Sequence, residues 1–314
     1  KNTMKKQKII CVVGPTASGK TGLGIELAKY FDGEVISADS MQIYCDMHIA
    51  SAAPDDSETE GVPHHLVEFL PYGSSYTVAD YVKAARQKIS EIASRGKMPI
   101  IVGGTGLYIN SLVNNVEFIE SETDYELRER ITKEFDRIGG TEMLSRLCEI
   151  DPDAAGKLHP NDKKRIIRAF EIYESTGNTK SFNDEQSIKN ESPYDACMIG
   201  ITYRDREKLY ERINLRVDLM LQNGLLDEAK SAYDKNLGGG AVQAIGHKEF
   251  FDYFDGLITF EEATENLKRA TRRYAKRQLT WFNKDTRINW IYKDEVEDAV
   301  AASIKIAKEE VSYV

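Results

Sequence analysis

Cysteine and histidine are scarce in this sequence of 314 residues. The four cysteines stand far apart and none has CxxC spacing: Cys11, Cys45, Cys148 and Cys197. The five histidines show neither HxH nor HxxxH spacing, and the adjacent His64 and His65 are more typical of structural positions than of metal ligands. These absences argue against a zinc site and a disulfide framework, and the thiols are expected to be reduced.

Long apolar runs are also missing. No stretch of 18 or more apolar residues occurs, which argues against a membrane-spanning helix. The first residues, KNTMKKQ, lead straight into an apolar segment and lack the profile of a signal peptide. A hydrophobic fraction of 41% still supplies a sizeable core, and the length allows one large domain or two ordinary ones. We therefore expect a cytoplasmic protein without a membrane partner, and we take it to be a monomer.

An overall positive charge is absent as well. The net charge of −9 argues mildly against nucleic acid as a partner. The charge is nevertheless uneven, with acidic residues concentrated in 117–129 and basic residues in 157–168 and 268–277. An acidic protein can bind RNA if its basic residues share a face, because the phosphate field acts over about a Debye length, roughly 8 Å in physiological salt.

Short buried strands alternate with amphipathic helices in the first and last thirds of the chain. Apolar, β-branched runs predict strands at KIICVVG, EVISADS, KMPIIVGG, ACMIGITY and INWIY. Helical periodicity follows the first strand and continues through TVADYVKAARQKISEIASRG, REKLYERINLRVDLMLQNG and FEEATENLKRATRRYAKRQLTWF. This order of elements predicts an α/β fold, a P-loop NTPase-like core with a parallel sheet.

The middle of the chain has a different character. Between about 116 and 193 there is no convincing strand, whereas YELRERITKEFDRI, TEMLSRLCEI and NDKKRIIRAFEIYESTG predict helices. TKSFNDEQSIKNESP is interpreted as a polar loop. We therefore expect a helical insertion domain over 117–193 that interrupts an α/β core formed by 1–116 and 194–314.

The most informative motif is GPTASGKT, residues 14–21, which fits the P-loop pattern G-x-x-x-x-G-K-[ST] between a predicted strand and a predicted helix. Its glycines let backbone N–H groups turn toward phosphate oxygens, and the helix adds its positive end. Lys20 supplies a charge, and the Thr21 hydroxyl can bind Mg²⁺. An ordinary glycine-rich turn is the alternative. The motif predicts that a pyrophosphate or polyphosphate is held by Gly14, Thr16, Ala17, Ser18, Gly19, Lys20 and Thr21.

Three other residues carry possible chemistry. Asp39 ends the strand EVISAD and Thr105 follows IIVGG, and the carboxyl ends of parallel strands line the ligand crevice of such folds. Asp39 is a candidate metal ligand or general base, or else a residue that caps a turn. Thr105 fits a close ligand approach and a plain strand-to-helix turn equally well. Arg216 is either solvated or clamps a phosphate.

The segment Leu267–Phe282 combines apolar surface with six basic residues. Like charges four residues apart on a helix are unfavourable by a few tenths of a kcal/mol per pair, and Lys268/Arg272 and Arg269/Arg273 are such pairs. A bound polyanion would relieve this repulsion. Acidic residues elsewhere in the fold are the alternative source of relief.

Together these motifs resemble those of tRNA dimethylallyltransferases. The resemblance runs from about Ile9 to Trp290 through GPTASGKT, ISADSMQIY, VPHHLVE, IIVGGTGLY, HPNDKKRIIRAFEIYESTG, RINLRVDLML, QAIGHKEF and TRRYAKRQLTWF. It implies that the P-loop binds dimethylallyl diphosphate rather than ATP, together with Mg²⁺. It also implies transfer of the dimethylallyl group to N6 of the adenosine 3′-adjacent to the anticodon of tRNA, with release of pyrophosphate.

The resemblance further implies roles for individual residues. Asp39 corresponds to the general base, Thr105 lies between the two substrates, and Arg216 helps the P-loop to hold the pyrophosphate. The adenosine pocket would be lined by Ser40, Met41 and Gln42. The anticodon stem-loop of tRNA would contact Arg128, Lys164, Arg165, Arg168, Gln243, Gly246, His247, Lys248, Arg272 and Arg273.

The sequence departs from the family pattern at two places. Ala53 stands where the family usually has a lysine, which removes any phosphate or RNA contact of that lysine. His247 stands in GHKE where the family often has GYKE, and it adds a group that takes up a proton near neutral pH. Two other functions remain open at this point: a P-loop kinase that uses ATP, and a tRNA-binding protein without catalysis.

Overall fold

A computed structural model of the chain describes residues 6–118, 124–187, 191–236 and 244–311. The chain forms two compact units, one of Lys1–Val113 with Ser192–Val314 and one of Asn114–Glu191. We call the first the α/β unit and the second the helical unit. The boundaries lie near the positions 116 and 194 at which the sequence changes its character.

The α/β unit is built on a six-stranded sheet in which every pairing is parallel. The strand order is β3-β2-β4-β1-β5-β6. This confirms the predicted α/β class. The two-residue β3 was not anticipated because it is too short to show a pattern. The bounds are β1 Gln7–Val13, β2 Gly33–Ser37, β3 His64–His65, β4 Met98–Gly103, β5 Tyr194–Thr202 and β6 Asn289–Tyr292.

Helices cover the apolar strands. α1 (Lys20–Tyr30) and α15 (Ala299–Val311) pack on β1, β4 and β5 in one core cluster that contains Ile10, Val12 and Leu27. Full burial of such a side chain contributes about 1.5–3 kcal/mol, so this cluster is a main source of stability. α4 (Val78–Ser94) packs on β2 and β4, and α5 (Gly106–Val113) packs on β4 and on α4. The helix α15 was not anticipated from the sequence.

The remaining helices of this unit follow β2 and β5. The long α14 has the predicted bounds because a capping box fixes its start: Thr259 Oγ1 accepts from Glu262 N at 3.1 Å, and Glu262 Oε2 accepts from Thr259 N at 2.8 Å. A single 3₁₀ turn spans Lys248–Phe250. The helices are α2 His48–Ser51, α3 Asp56–Thr59, α11 Arg206–Gln222, α12 Leu225–Lys235, α13 Phe251–Phe254 and α14 Phe260–Phe282.

The helical unit has no strand in its described ranges, 114–118, 124–187 and 191. Ile131, Leu147 and Ile166 are buried at its centre. Its helices are α6 Tyr125–Ile138, α7 Gly140–Ile150, α8 Pro152–Ala155, α9 Lys163–Thr176 and α10 Lys180–Ser187.

The helix α10 corrects the interpretation of residues 179–193 as a polar loop. It buries none of its residues, so the sequence carries no apolar periodicity there. It is held by polar bonds instead: Asp151 accepts from Ser181 N at 2.9 Å and from Ser181 Oγ at 2.6 Å. A helix anchored in this way is invisible to a search for an apolar face.

Candidate active site

The site is assembled where β1, β2 and β4 end at one edge of the sheet. The P-loop follows β1, Asp39 follows β2 and Thr105 follows β4. The last two loops are joined directly, because Ala38 N donates to Val102 O at 2.8 Å and Thr105 N donates to Ala38 O at 3.1 Å. Thr105 Oγ1 also accepts from Ser40 N at 2.9 Å. Asp39 and Thr105 therefore lie side by side, as the positions of their strands predicted.

The P-loop has the conformation of an anion cradle. Three residues have positive φ angles, 149° at Gly14, 63° at Ala17 and 96° at Gly19, which is typical of a loop that bends its backbone around an anion. A Cβ atom at Gly14 would lie 2.3 Å from Ile201 O, which only glycine avoids. α1 begins directly after this loop without a side-chain cap and without an acidic residue in its first turn. Its positive end is thus left for a ligand.

Two partly buried cations, Lys20 and Arg216, lie beside this cradle. Lys20 Nζ donates to Pro15 O at 2.7 Å, and neither Lys20 nor Arg216 has an acid within salt-bridge distance in the described parts of the chain. Burial and then the charge of Arg216 lower the pKa of Lys20 to about 7. Burial also lowers the pKa of Arg216, and the negative charge of Asp39 opposes this shift. An anionic ligand would neutralise both groups.

Asp39 uses one carboxylate oxygen for structure. Its Oδ1 accepts from Met41 N at 2.8 Å and from Gln42 N at 3.3 Å, which caps the turn after β2. For Oδ2 there is no hydrogen bond within the described residues. The capping interpretation and a chemical role are therefore compatible, because each uses a different oxygen.

These groups line one cavity of about 470 Å³ within the α/β unit. Its lining is strongly cationic, with Asp39 as the one acidic side chain among the described residues that form it. The opposing basic side chains are Lys20, Arg216, Lys248, Arg273 and Arg277. Apolar side chains form a further part of the wall, namely Met41, Val102, Val217, Met220, Ile245 and Leu267. The cavity suits an anion attached to a hydrocarbon chain.

Most of the predicted adenosine and phosphate residues reach this cavity. They are Thr16, Lys20, Thr21, Asp39, Ser40, Met41, Gln42 and Arg216, with Gly246, Lys248 and Arg273 from the predicted RNA surface. The side chain of Gln42 is already committed to the wall, since its Oε1 accepts from Ser37 Oγ at 2.7 Å and its Nε2 donates to Ala52 O at 3.2 Å. Thr105 lies next to Ser40, just behind the lining.

Other predicted RNA contacts are placed differently. Arg272 donates to Asn214 Oδ1 at 2.7 Å and to Glu265 Oε1 at 3.0 Å, and Lys268 pairs with Asp218 at 2.7 Å. Acidic and amide groups of the fold thus relieve part of the like-charge repulsion on α14. Gln243 lies outside the described residues.

His247 requires a correction. Its side chain is fully buried, so it offers RNA no surface for stacking. Its Nε2 pairs instead with Glu228 Oε1 at 2.7 Å, and the same carboxylate accepts from Ile49 N at 2.7 Å and from Ala50 N at 3.0 Å. His247 therefore supports the segment 50–52 of the cavity wall from behind. Ala53, the other departure from the family pattern, is also buried.

The predicted basic residues of the helical unit form two groups. Arg128 and Arg168 both pair with the buried Glu171: Arg128 Nη2 lies 3.1 Å from one oxygen, and Arg168 Nη1 lies 3.3 Å from the same oxygen. Lys164 and Arg165 are exposed, and neither has an ion pair within the described residues. The second pair offers unneutralised charge to a partner.

Two site residues, Gln278 and Tyr274, were not singled out from the sequence. Both line the cavity from α14. Burial, and then the negative charge of Asp39, raise the pKa of the Tyr274 phenol, which lies against Thr105 and Gln278. The available signal was their position: they occupy an apolar stripe at helical spacing, Leu267, Thr271, Tyr274, Gln278 and Phe282. A buried amide in such a stripe needs partners elsewhere in the fold.

The donor set near the P-loop suits Mg²⁺. Thr21 lines the cavity one residue after Lys20. Over the described residues there is no cluster of three or more His, Cys, Asp or Glu that would form a protein-only metal cage. Mg²⁺ typically takes few protein ligands and completes its shell with water and substrate phosphates. The Thr21 hydroxyl, with phosphate oxygens of a substrate and water, would form such a ligand set.

No helix in the described ranges is long and apolar enough to span a membrane.

Comparisons with known proteins agree with the geometry. A family model for IPP transferases matches residues 42–285, and one for isopentenyl transferases matches residues 7–72. A tRNA dimethylallyltransferase of Bacillus subtilis (strain 168) is 50% identical over 286 residues, which cover 91% of this chain and 90% of the relative. One from Acetivibrio thermocellus is 48% identical over 293 residues, covering 92% of this chain and 93% of the relative.

Solved structures show the same likeness. The tRNA isopentenylpyrophosphate transferase of Bacillus halodurans has 42% identity and a TM-score of 0.73, with 98% of this chain and 96% of that chain covered. A eukaryotic dimethylallyltransferase acting on tRNA has 31% identity and a TM-score of 0.82, with 96% of this chain and 78% of that chain covered. The resemblance drawn from the motifs is thereby confirmed, and the chain belongs to the tRNA dimethylallyltransferase family of prenyl-transferring enzymes.

Proposed function

We propose that the protein transfers the dimethylallyl group of dimethylallyl diphosphate to N6 of the adenosine 3′-adjacent to the anticodon in tRNA and releases pyrophosphate. The observation that carries the proposal is the composition of one cavity. It joins a P-loop cradle with two partly buried cations, neither in an ion pair among the described residues, to a carboxylate and to an apolar wall. Those three parts match an anionic leaving group, an amine to be activated and a hydrocarbon to be transferred.

The cradle acts on the leaving group. As the bond between C1 and the diphosphate oxygen breaks, the oxygen keeps the electron pair and negative charge grows on the pyrophosphate. We assign Lys20, Arg216 and the start of α1 to this charge, because fixed donors in a site shielded from water stabilise developing charge best. Mg²⁺, held by Thr21 and the diphosphate, would supply further neutralisation of the same charge.

Asp39 acts on the acceptor. The adenine N6 uses its electron pair to bond C1, and the surplus proton then passes to the free Oδ2 of Asp39. Adenine N6 is a weak nucleophile, so a base within hydrogen-bond reach and a fixed orientation are both needed. Ser40, whose N–H donates to Thr105 Oγ1 behind it, forms the adjacent wall to which we assign the orientation of the adenine.

The apolar wall holds the hydrocarbon. Val217 and Met220 on α11 and Leu267 and Ala270 on α14 line the cavity, and Val217 packs with Leu267 in one core cluster. A chain of five carbons buried there gains about 0.8 kcal/mol for each CH₂ equivalent removed from water. This gain favours a prenyl diphosphate over free pyrophosphate as the ligand of the P-loop.

The RNA must present an unstacked base. Bases in RNA loops can be splayed out and read on their edges, which an anticodon loop allows. The exposed Lys164 and Arg165, with Lys248 and Arg273 at the cavity, supply charge for the phosphate backbone. We assign the anticodon stem-loop to these groups, and we place the enzyme in the cytoplasm as a monomer.

The test is incubation with dimethylallyl diphosphate and unmodified tRNA, followed by mass analysis of the nucleosides. We expect one adenosine per tRNA to gain a C₅H₈ unit. A matched tRNA with guanosine at that position should remain unmodified. A product on a different nucleoside, or none with either tRNA, would reject the proposed function.

A further inference from the structure

One buried side chain joins the two loops on which the proposed reaction depends. Gln278 on α14 is 5% exposed. Its Oε1 accepts from Thr16 N in the P-loop at 2.8 Å, and its Nε2 donates to Gly104 O at 3.0 Å. Gly104 immediately precedes Thr105. A single amide therefore bridges the loop that cradles the diphosphate and the loop that faces the acceptor.

The chemistry of the bridge fixes the orientation of the amide. In the orientation found, an oxygen faces an N–H group and an NH₂ group faces a carbonyl. A rotation by 180° would oppose two donors at Thr16 and two acceptors at Gly104. Both partners of the amide, Thr16 N and Gly104 O, are backbone groups, so they do not depend on the identity of another side chain.

The backbone at Gly104 packs closely against the Gln278 side chain. A Cβ atom at Gly104 would lie 2.2 Å from Gln278 Nε2 and 3.3 Å from Gly14 O, so the close approach requires glycine. One turn earlier on α14, Tyr274 lies against Thr105 and Gln278. α14 thus presses two neighbouring polar side chains onto the junction of the P-loop and the Thr105 turn.

We propose that Gln278 is a positioning residue that fixes the distance between the P-loop and the Thr105 turn and thereby couples the departure of pyrophosphate to attack by the acceptor amine. The inference rests on the proposed function. Displacement of reacting groups by about 1 Å can cost on the order of 100-fold in rate, and the bridge spans the two halves that must be kept in register.

Loss of register has a specific chemical consequence. When the amine is out of place, a water oxygen can supply the electron pair that bonds C1. The bond from C1 to the diphosphate oxygen breaks, pyrophosphate leaves with that electron pair, and the water's proton passes to solvent. The products are dimethylallyl alcohol and pyrophosphate, so pyrophosphate is formed in excess over modified adenosine.

The experiment measures pyrophosphate and modified adenosine in the same reaction, with wild type and Gln278→Met. Methionine keeps the volume and loses both hydrogen bonds. We expect a ratio of one for the wild type and a ratio clearly above one for the variant. We also expect kcat to fall by about 10- to 100-fold while the KM values for both substrates stay within about threefold.

A second variant guards against misfolding. Gln278→Asn keeps an amide but shortens its reach by one methylene, and an intermediate ratio is expected. The control is Ala263→Gly, which loosens the same helix at a buried position that does not itself line the cavity. Its melting temperature should fall while its ratio stays at one.

The outcomes separate this inference from the proposed function. If the wild type forms no modified adenosine, the proposed function is rejected. If the wild type is active and both Gln278 variants keep a ratio of one with normal kcat, only the role of Gln278 is overturned. A raised ratio in Ala263→Gly as well would likewise overturn it, because general loosening would then explain the loss of coupling.

Discussion

Two pairs of basic residues, one in each unit, are arranged in opposite ways. In the α/β unit, Lys20 and Arg216 are partly buried at the P-loop without an ion pair among the described residues, and both have a lowered pKa. In the helical unit, Arg128 and Arg168 are half-exposed and share the buried carboxylate of Glu171. The charged forms of Lys20 and Arg216 are therefore unfavourable in the ligand-free protein, whereas the charges of Arg128 and Arg168 are neutralised by Glu171.

The pair at the P-loop thus marks a site for a particular anion, whereas the exposed Lys164 and Arg165 of the helical unit, which have no ion pair among the described residues, supply a general field. Unpaired buried cations are tolerated when a ligand neutralises them, and such perturbed groups are typical of functional sites. Exposed cations attract a polyanion through the sum of their charges, with little energy from any one of them. The donor diphosphate and the RNA are thus expected to use different kinds of cation.

The largest effect is expected at Asp39, the one acidic side chain of the cavity lining among the described residues. Asp39→Asn keeps an oxygen that can cap the turn but removes the proposed base, so turnover should fall by about 10²–10⁴-fold. Binding of tRNA and the melting temperature should change little, which makes the variant its own control for folding. The measurement is single-turnover transfer; a rate within tenfold of wild type would remove Asp39 from the role of base.

Binding of the donor should distinguish the two kinds of cation. Arg216→Met removes a desolvated partner of the diphosphate, and we expect about 100-fold weaker binding of dimethylallyl diphosphate. Arg168→Met in the helical unit is the matched control and should bind the donor normally. Titration calorimetry without tRNA measures both, and equal losses in the two variants would contradict the distinction.

The melting temperature of the ligand-free protein should change in opposite directions when Lys20 of the α/β unit and Arg128 of the helical unit are replaced. Lys20→Met removes a partly buried, desolvated charge, so the melting temperature should rise by about 2–4 °C for each kcal/mol recovered. Arg128→Met removes one of the two ion-pair partners of the buried Glu171 and should lower the melting temperature. The measurement is thermal unfolding of the ligand-free variants, and a lower melting temperature for Lys20→Met would show that its charge is already compensated.

The gain in stability of the Lys20→Met variant over the wild type should also depend on pH. The folded pKa of Lys20, about 7, lies below its ordinary value of 10.5. The penalty is therefore fully present below pH 7, where the folded protein holds the buried proton. It disappears as pH rises from 7 toward 10.5, because the folded chain releases that proton before the unfolded chain does. A gain that is independent of pH would contradict the shift.

The smallest effect is expected on RNA binding. Lys164→Ala with Arg165→Ala should weaken tRNA binding several-fold and reduce its salt dependence by about one unit of slope for each phosphate that is no longer neutralised. Lys133→Ala, whose ammonium pairs with Glu129 at 2.7 Å, is the control on the same unit. If both changes give the same slope, the exposed pair has no special part in RNA binding.

Much of the fold and of the candidate site could be predicted from the sequence, because the patterns that indicate them lie within contiguous residues. The P-loop pattern, the strand ends at Asp39 and Thr105 and the amphipathic α14 can each be recognised from contiguous residues. A parallel sheet then brings the strand ends to one edge without further information. The cavity follows from those rules and from the helices that close it.

What the sequence did not show depends on partners that are distant in the chain. Gln278 bonds Thr16 and Gly104, and neither partner leaves a trace on the helix that carries it. The burial of His247 depends on Glu228, which a motif search does not connect with it. The helix α10 lacks a buried face altogether. Each case is decided by tertiary contacts rather than by local pattern.

The most direct test of the P-loop assignment is a reaction that contains tRNA, dimethylallyl diphosphate and ATP together. The products to be measured are modified adenosine, pyrophosphate and ADP. We predict pyrophosphate equal to modified adenosine and no ADP, since we assign the cations of the P-loop site to the prenyl donor. Formation of ADP without prenylated adenosine would contradict this assignment and would favour a P-loop kinase.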